Sequence, residues 1–204
     1  MTRHFPIAGV IAGLVLSASP AAAQFESTYM PTPLTGERLS PAEVADILAN
    51  DRSDALRALA DKFRALSLAY DGREDLGWSS DYDYRLVNSL TWGVHRNLDM
   101  SAMLHDRLRN QIADLDAKRE ALAALPPTSA GERPTDERLQ LEKDIARLET
   151  RVAVTSEDLV VQNDIRDMLA EEILKRKTSR AQRGMPAFLR TYFSEIETLL
   201  AETP

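Results

Sequence analysis

Histidines are the first side chains of this chain to consider for metal binding or acid–base catalysis. His4 lies in the N-terminal segment, whereas His95 and His105 are ten residues apart and Asp99 follows His95 by one helical turn. A zinc or copper site needs three or four converging ligands, and ten residues of helix turn the two histidines roughly 80° apart. There is no H-E-x-x-H pattern and no serine in a G-x-S-x-G turn. We therefore predict no catalytic residue and no metal site, and we interpret both histidines as polar residues of a helix surface or as partners in a contact between residues four apart.

The stretch 71–84 combines acidic and aromatic side chains at high density. It holds five acids, one tryptophan and two tyrosines in fourteen residues. Such a stretch can bind calcium through carboxylate oxygens or present aromatic rings to a partner or a sugar, although the calcium-loop spacing D-x-[DN]-x-[DN]-G is missing. The structural alternative is that acids start a helix near 80–83 and that Trp78 fills the base of a bundle. Both interpretations stay open, with Trp78, Tyr82 and Tyr84 as candidate partner-binding residues.

A basic run, 175–183, is the third candidate. Its five cations, which no acid interrupts, are Lys175, Arg176, Lys177, Arg180 and Arg183. They can make a weak contact with anionic lipid headgroups or with a phosphate-bearing envelope polymer. Cations at a helix C-terminus also complement the helix dipole, and Gly184 and Pro186 mark such a terminus. The sequence leaves both uses open.

Composition excludes several functional classes. The chain has 204 residues, and 25 Lys and Arg against 32 Asp and Glu give a net charge of −7. This acidic balance argues against nucleic acid as a partner, which requires a basic footprint. Without cysteine there is no disulfide, thiolate metal site or cysteine nucleophile. No glycine-rich phosphate loop or dinucleotide fingerprint is present, so we predict no cofactor.

Residues 1–23 have the pattern of a secretory signal peptide. A positive start at Arg3 precedes an apolar run from Ile7 to Leu16, and a break at Pro20 precedes three alanines. The apolar run has about ten residues, half the length of a membrane span. We predict cleavage after Ala23 and a periplasmic location for the mature protein.

The mature chain is predicted to be a single helical domain, residues 40–204, after an extended lead-in at 24–39. Ser40-Pro41-Ala42-Glu43 has the pattern of a capping box with proline in the first turn. Apolar periodicity then predicts helix A over 41–70, with the polar stretch 50–53 as the place where it kinks or divides into two helices. A last amphipathic helix is predicted over 187–201.

Between these helices a heptad pattern predicts a long antiparallel coiled-coil hairpin. From Val87 to Leu125, eight of the twelve heptad positions are aliphatic, and none is glycine or proline. The proline-rich stretch 126–134 ends this helix, and a second arm follows. Arms over 82–125 and 135–177 would each be roughly 65 Å long and would fold back on one another. The predicted fold is all-α, a long antiparallel coiled-coil helical hairpin that projects from a small helical bundle.

Two polar residues, Gln111 and Lys118, face the predicted seam toward the turn and are candidates for partner binding. We therefore expect an exported, non-catalytic interaction protein, an adaptor or assembly factor of the bacterial cell envelope, whose hairpin engages another envelope protein. A periplasmic chaperone for unfolded clients is one alternative, and a small-ligand or metal sensor using the stretch 71–84 is another. A heptad seam also serves a dimer, so a homo-oligomer stays open.

Overall fold

The first helix of the fold begins at a capping box. The computed structural model describes residues 38–71, 82–127 and 133–203, of which 88% are helical and none is in a strand. Helix α1 spans Pro41–Ala49. The Ser40 hydroxyl accepts a hydrogen bond from the Glu43 backbone N–H at 3.3 Å, and a Glu43 carboxylate oxygen accepts one from the Ser40 N–H at 2.7 Å. The predicted capping box is confirmed.

Helix A of the sequence analysis is two helices. After α1 ends at Ala49, α2 spans Ser53–Tyr70. The polar residues between them supply local hydrogen bonds that end one helix and start the next. The Asp51 carboxylate accepts a hydrogen bond from the Ser53 backbone N–H at 3.1 Å, which satisfies a free donor at the start of α2.

Two long helices, α3 (Tyr82–Ala124) and α4 (Asp136–Arg183), form the hairpin. At 1.5 Å per residue they are about 64 and 72 Å long. They pack closely against one another, and the all-α helical hairpin is confirmed. α4 continues to Arg183, beyond the predicted end at 177, and stops at Gly184, whose φ of +93° favours glycine.

The seam follows the predicted heptads. Leu104 and Leu108 of α3 form one buried cluster with Leu159 of α4 and Ile47 of α1. Farther from the turn of the hairpin, α3 and α4 approach each other closely at Gly93. A Cβ atom added to Gly93 would lie 3.2 Å from a methyl carbon of Leu169. The small residue allows this approach.

The base of the hairpin is covered by additional helices. We define the base as residues 82–115 and 155–183 together with α1, α2 and the last helix, α5 (Ala187–Ala201). α2 runs antiparallel to α3, since the Tyr84 hydroxyl donates to the Tyr70 carbonyl at one end and Arg57 pairs with Asp106 at the other. The large base side chains that are at most 1% exposed include Phe63, Val87, Leu90, Leu189, Tyr192, Phe193 and Ile196.

The remaining part of the hairpin, the distal arm, consists of residues 116–124 of α3 and 136–154 of α4. The buried residues of α3 end at Leu115, and those of α4 begin at Thr155. Within the distal arm, seam residues such as Leu122, Leu141 and Ile145 are half-buried. Val152 still packs against the cluster that contains Ile47 of α1. Between Val152 and the turn of the hairpin, the distal arm is a two-helix coil without a third helix over its seam among the described residues.

Candidate functional site

The acidic and aromatic candidates at the start of α3 separate into exposed and buried side chains. Trp78 lies outside the described residues. Tyr82, the first residue of α3, is 60% exposed. Tyr84 is buried and donates its hydroxyl to the Tyr70 carbonyl at 2.9 Å, and burial followed by the charge of Asp71 raises the pKa of Tyr84 to about 12. Of the two tyrosines, Tyr82 is thus the one whose side chain faces solvent.

Asp83, between these tyrosines, belongs to an ion-pair cluster with the basic run. Its side chain is only 10% exposed, and it accepts a hydrogen bond from Arg183 at 2.9 Å. A guanidinium nitrogen of Arg180 lies 3.8 Å away. This cluster joins the N-terminal end of α3 to the C-terminal end of α4.

The other cations of the basic run are paired as well. Glu172 contacts Arg176 at 2.6 Å and Lys175 at 3.4 Å, both within α4. Lys177 binds the Glu197 carboxylate of α5 at 2.5 Å. All five cations therefore have a carboxylate neighbour that offsets their charge, which leaves less net positive potential for an anionic lipid or polymer.

The two polar seam candidates make contacts between the arms. The Gln111 side-chain oxygen accepts a hydrogen bond from the buried Thr155 hydroxyl at 2.9 Å. The Lys118 ammonium lies 3.7 Å from the Asp144 carboxylate, and both side chains are partly exposed. The structure brings these candidates into the hairpin seam, away from Tyr82 at the opposite end of α3.

Next to Lys118 lies a groove that the sequence analysis missed. It encloses about 330 Å³ between the two arms, and its lining residues are Asp114, Ala117, Lys118, Asp144, Arg147, Leu148 and Arg151. Arg147 and Arg151 are exposed and make no ion pair within the described part of the chain. Their spacing of four residues is visible in the sequence, but the opposite wall is known only once the register of the arms is known.

A polar layer inside the base is the second feature that the sequence did not indicate. The Asn97 amide donates to both the backbone and side-chain oxygens of Gln162, each at 2.8 Å. Ser101 Oγ and His105 Nδ1 follow at intervals of one helical turn, and both atoms are buried without a hydrogen-bond partner among the described residues. Burial, reinforced by the positive charges of Arg52 and Arg166, lowers the pKa of His105.

The histidines are not the helix-surface residues that we expected. His95 is half-buried, and its Nδ1 lies 2.9 Å from the Ala60 carbonyl of α2. His105 is also half-buried. Both histidines lie on the part of the α3 surface that other residues cover. His95 contacts α2, and His105 lies near Asp51 and Arg52, which precede α2. Among the described residues no group of three or more histidine, aspartate or glutamate side chains is placed to hold a metal ion.

Comparison of the chain with protein-family models, with curated protein sequences and with solved structures finds no match. In the ranges that the structure describes, no helix combines the length and apolar character needed to cross a bilayer.

Proposed function

We propose that this protein is an exported, non-catalytic adaptor or assembly factor of the bacterial cell envelope, and that the distal arm is the part that docks on another envelope protein. One observation carries the proposal. The heptad seam continues through the distal arm, yet the buried residues of α3 end at Leu115 and those of α4 begin at Thr155. An uncovered two-helix seam is a surface on which a third helix can pack.

Energetics support docking at the distal arm. Leu139 is 39% exposed and Val154 is 50% exposed. Apolar surface that a partner removes from water contributes roughly 25 cal/mol per Å². The buried residues of both long helices lie in the base, so the distal arm can gain or lose a partner without a change in those residues.

The two alternatives have less support. A chaperone for unfolded clients requires a contiguous apolar face, whereas the exposed large apolar side chains are dispersed over four helices: Leu48, Leu68, Tyr82, Met103, Leu139, Val154 and Leu174. The sensor hypothesis depends on the stretch 71–84, most of which lies outside the described residues, and Asp83 and Tyr84 are engaged in contacts within the base.

The location of the protein remains a proposal from the sequence pattern, because residues 1–23 lie outside the described ranges. Mass spectrometry of the protein from a periplasmic extract should give a mature N-terminus at Gln24. Retention of residues 1–23, or recovery only from the cytoplasm, would contradict export.

Photo-crosslinking in intact cells tests the docking function. A benzophenone amino acid at Ala121, exposed in the distal arm, should give one defined adduct with an envelope protein identified by mass spectrometry, and the same probe at Glu195 of the base should not. Lysine at Leu139 and Val154 should abolish the Ala121 adduct. Lysine at the equally exposed Leu68 and Leu174 is the matched control and should preserve it. Adducts from Glu195 alone, or equal loss in both variants, would contradict the proposal.

A further inference from the structure

We propose that the groove between the two arms binds an amphipathic α-helix of a partner protein that carries two acidic residues one helical turn apart. This inference rests on the proposed docking function and specifies the chemistry of the partner. Its basis is the charge that the groove leaves uncompensated.

The positive charge comes from one wall. Arg147 and Arg151 are four residues apart on α4, so their side chains lie on the same face. Two acids that neighbour them along α4 are already engaged: Asp144 with Lys118 at 3.7 Å, and Glu149 with Arg119 at 2.9 Å. The two guanidinium groups thus remain available for carboxylates, which they can bind through paired hydrogen bonds.

The opposite wall and the floor define the shape of the ligand. Asp114 of α3 makes no ion pair with either arginine among the described residues, although all three line one space of about 330 Å³. Ala117 of α3 and Leu148 of α4 are the apolar residues of the lining. Both walls repeat at intervals of three and four residues, which is the periodicity that a third helix matches when it packs into the groove of a helical pair.

Charge balance favours a different protein over a second copy of this chain. In a symmetric dimer each groove would meet its own copy, in which, among the described residues of the lining, one acid, Asp114, and two arginines are without an ion pair. A partner helix with acids at positions i and i+4 neutralises Arg147 and Arg151 together. A basic residue on its other edge would complement Asp114.

The probe for this test is a three-heptad amphipathic peptide with leucine in the seam positions and glutamate on both flanks, labelled for fluorescence anisotropy. Its matched control is the same peptide with lysine in place of glutamate. The mature full-length chain should bind the acidic peptide at least tenfold more tightly than the basic peptide. Affinity for the acidic peptide should fall with rising salt, because the contact is charged.

Charge-reversal variants locate the binding. R147E/R151E should lose roughly tenfold or more in affinity for the acidic peptide, as expected for a charged interfacial contact, and should gain affinity for the basic one. R64E/R96E changes the net charge equally at two exposed arginines that make no ion pair in the described ranges, and it should bind like the parent chain. Circular-dichroism melts verify that both variants fold.

Three outcomes would overturn the inference. The acidic peptide binds no better than the basic one, or R64E/R96E weakens binding as much as R147E/R151E. Alternatively, sedimentation shows a dimer of the parent chain that R147E/R151E dissociates, which would assign the groove to a second copy. Crosslinking from Ala121 to an envelope protein can succeed in each case, so failure of this inference is distinguishable from failure of the docking function.

Discussion

The base and the distal arm use the same heptad seam with opposite results for burial. In the base, seam residues Val87, Leu90 and Val94 are fully buried. In the distal arm, Leu122 and Ile145 occupy equivalent positions and remain half-buried. The difference is the cover of α1, α2 and α5 over the base. A seam pattern therefore specifies which helices pair, whereas the number of neighbours decides how much each pair contributes to stability.

Truncation of seam leucines should show the largest contrast. Leu108→Ala in the base, where Leu108 is 0% exposed, should lower the free energy of unfolding by about 2–5 kcal/mol, because it leaves a cavity between several helices. Leu122→Ala in the distal arm should cost about 1 kcal/mol, since Leu122 is only half-buried and its truncation removes less buried surface. Urea unfolding followed by circular dichroism measures both. Equal losses would mean that the distal arm is as well covered as the base.

Removal of an ion pair should also cost more stability in the base than in the distal arm, by a smaller margin than truncation of the leucines. Asp83→Asn removes the charge of a carboxylate that is 10% exposed and leaves Arg183 without it. We expect the free energy of unfolding to fall by about 1–3 kcal/mol, because the buried side chain at position 83 loses its charged hydrogen bond with Arg183. Glu149→Gln in the distal arm breaks a pair with Arg119 in which both side chains are about half-exposed, and it should cost less than about 1 kcal/mol. Thermal melts at two salt concentrations separate the two cases, and a larger effect from Glu149→Gln would refute this ranking.

The smallest effect should be a pH dependence confined to the base. Burial places the pKa of His105 below its unfolded value, so the unfolded chain binds a proton more readily than the folded one. Its contribution to stability is present above about pH 6.5, the ordinary histidine pKa, and declines as the pH falls below it. Asp106 and Asp51 oppose this shift, while Arg52 and Arg166 reinforce it.

His105→Gln should therefore unfold with a smaller loss of stability between pH 7 and pH 5 than the parent chain. The urea midpoint at each pH is the measurement. His95→Gln is the matched control within α3. An unchanged pH dependence in His105→Gln would show that protonation of this side chain does not couple to folding.

The sequence predicted the hairpin because the information for it is local and repeated. The cap at Ser40 and the heptads of the first arm are read within a few residues, and the structure bears out the cap and the helical hairpin. The pairing of Asp83 with Arg183 could not be predicted, since a separation of 100 residues is bridged only by the register of the arms. The same dependence on register concealed the groove beside Arg147.

The polar contact inside the seam of the base could not be predicted either. In the structure, Gln162 takes the seam position between Leu159 and Leu169 and accepts hydrogen bonds from Asn97. Polar residues that satisfy each other across a seam cannot be recognised from hydrophobicity on one helix alone.

The uninterrupted heptad seam beyond Leu115 makes the reach of this protein adjustable in steps. Removal or insertion of seven residues in each arm keeps every remaining seam residue facing its partner, because the pattern repeats at that interval. Each step shortens or lengthens the projection by about 10 Å at 1.5 Å per residue, and it leaves in place the buried residues of the hairpin, which end at Leu115 in α3 and begin at Thr155 in α4. The distance between the base and the turn of the hairpin can thus be matched to a given spacing without redesign of the fold.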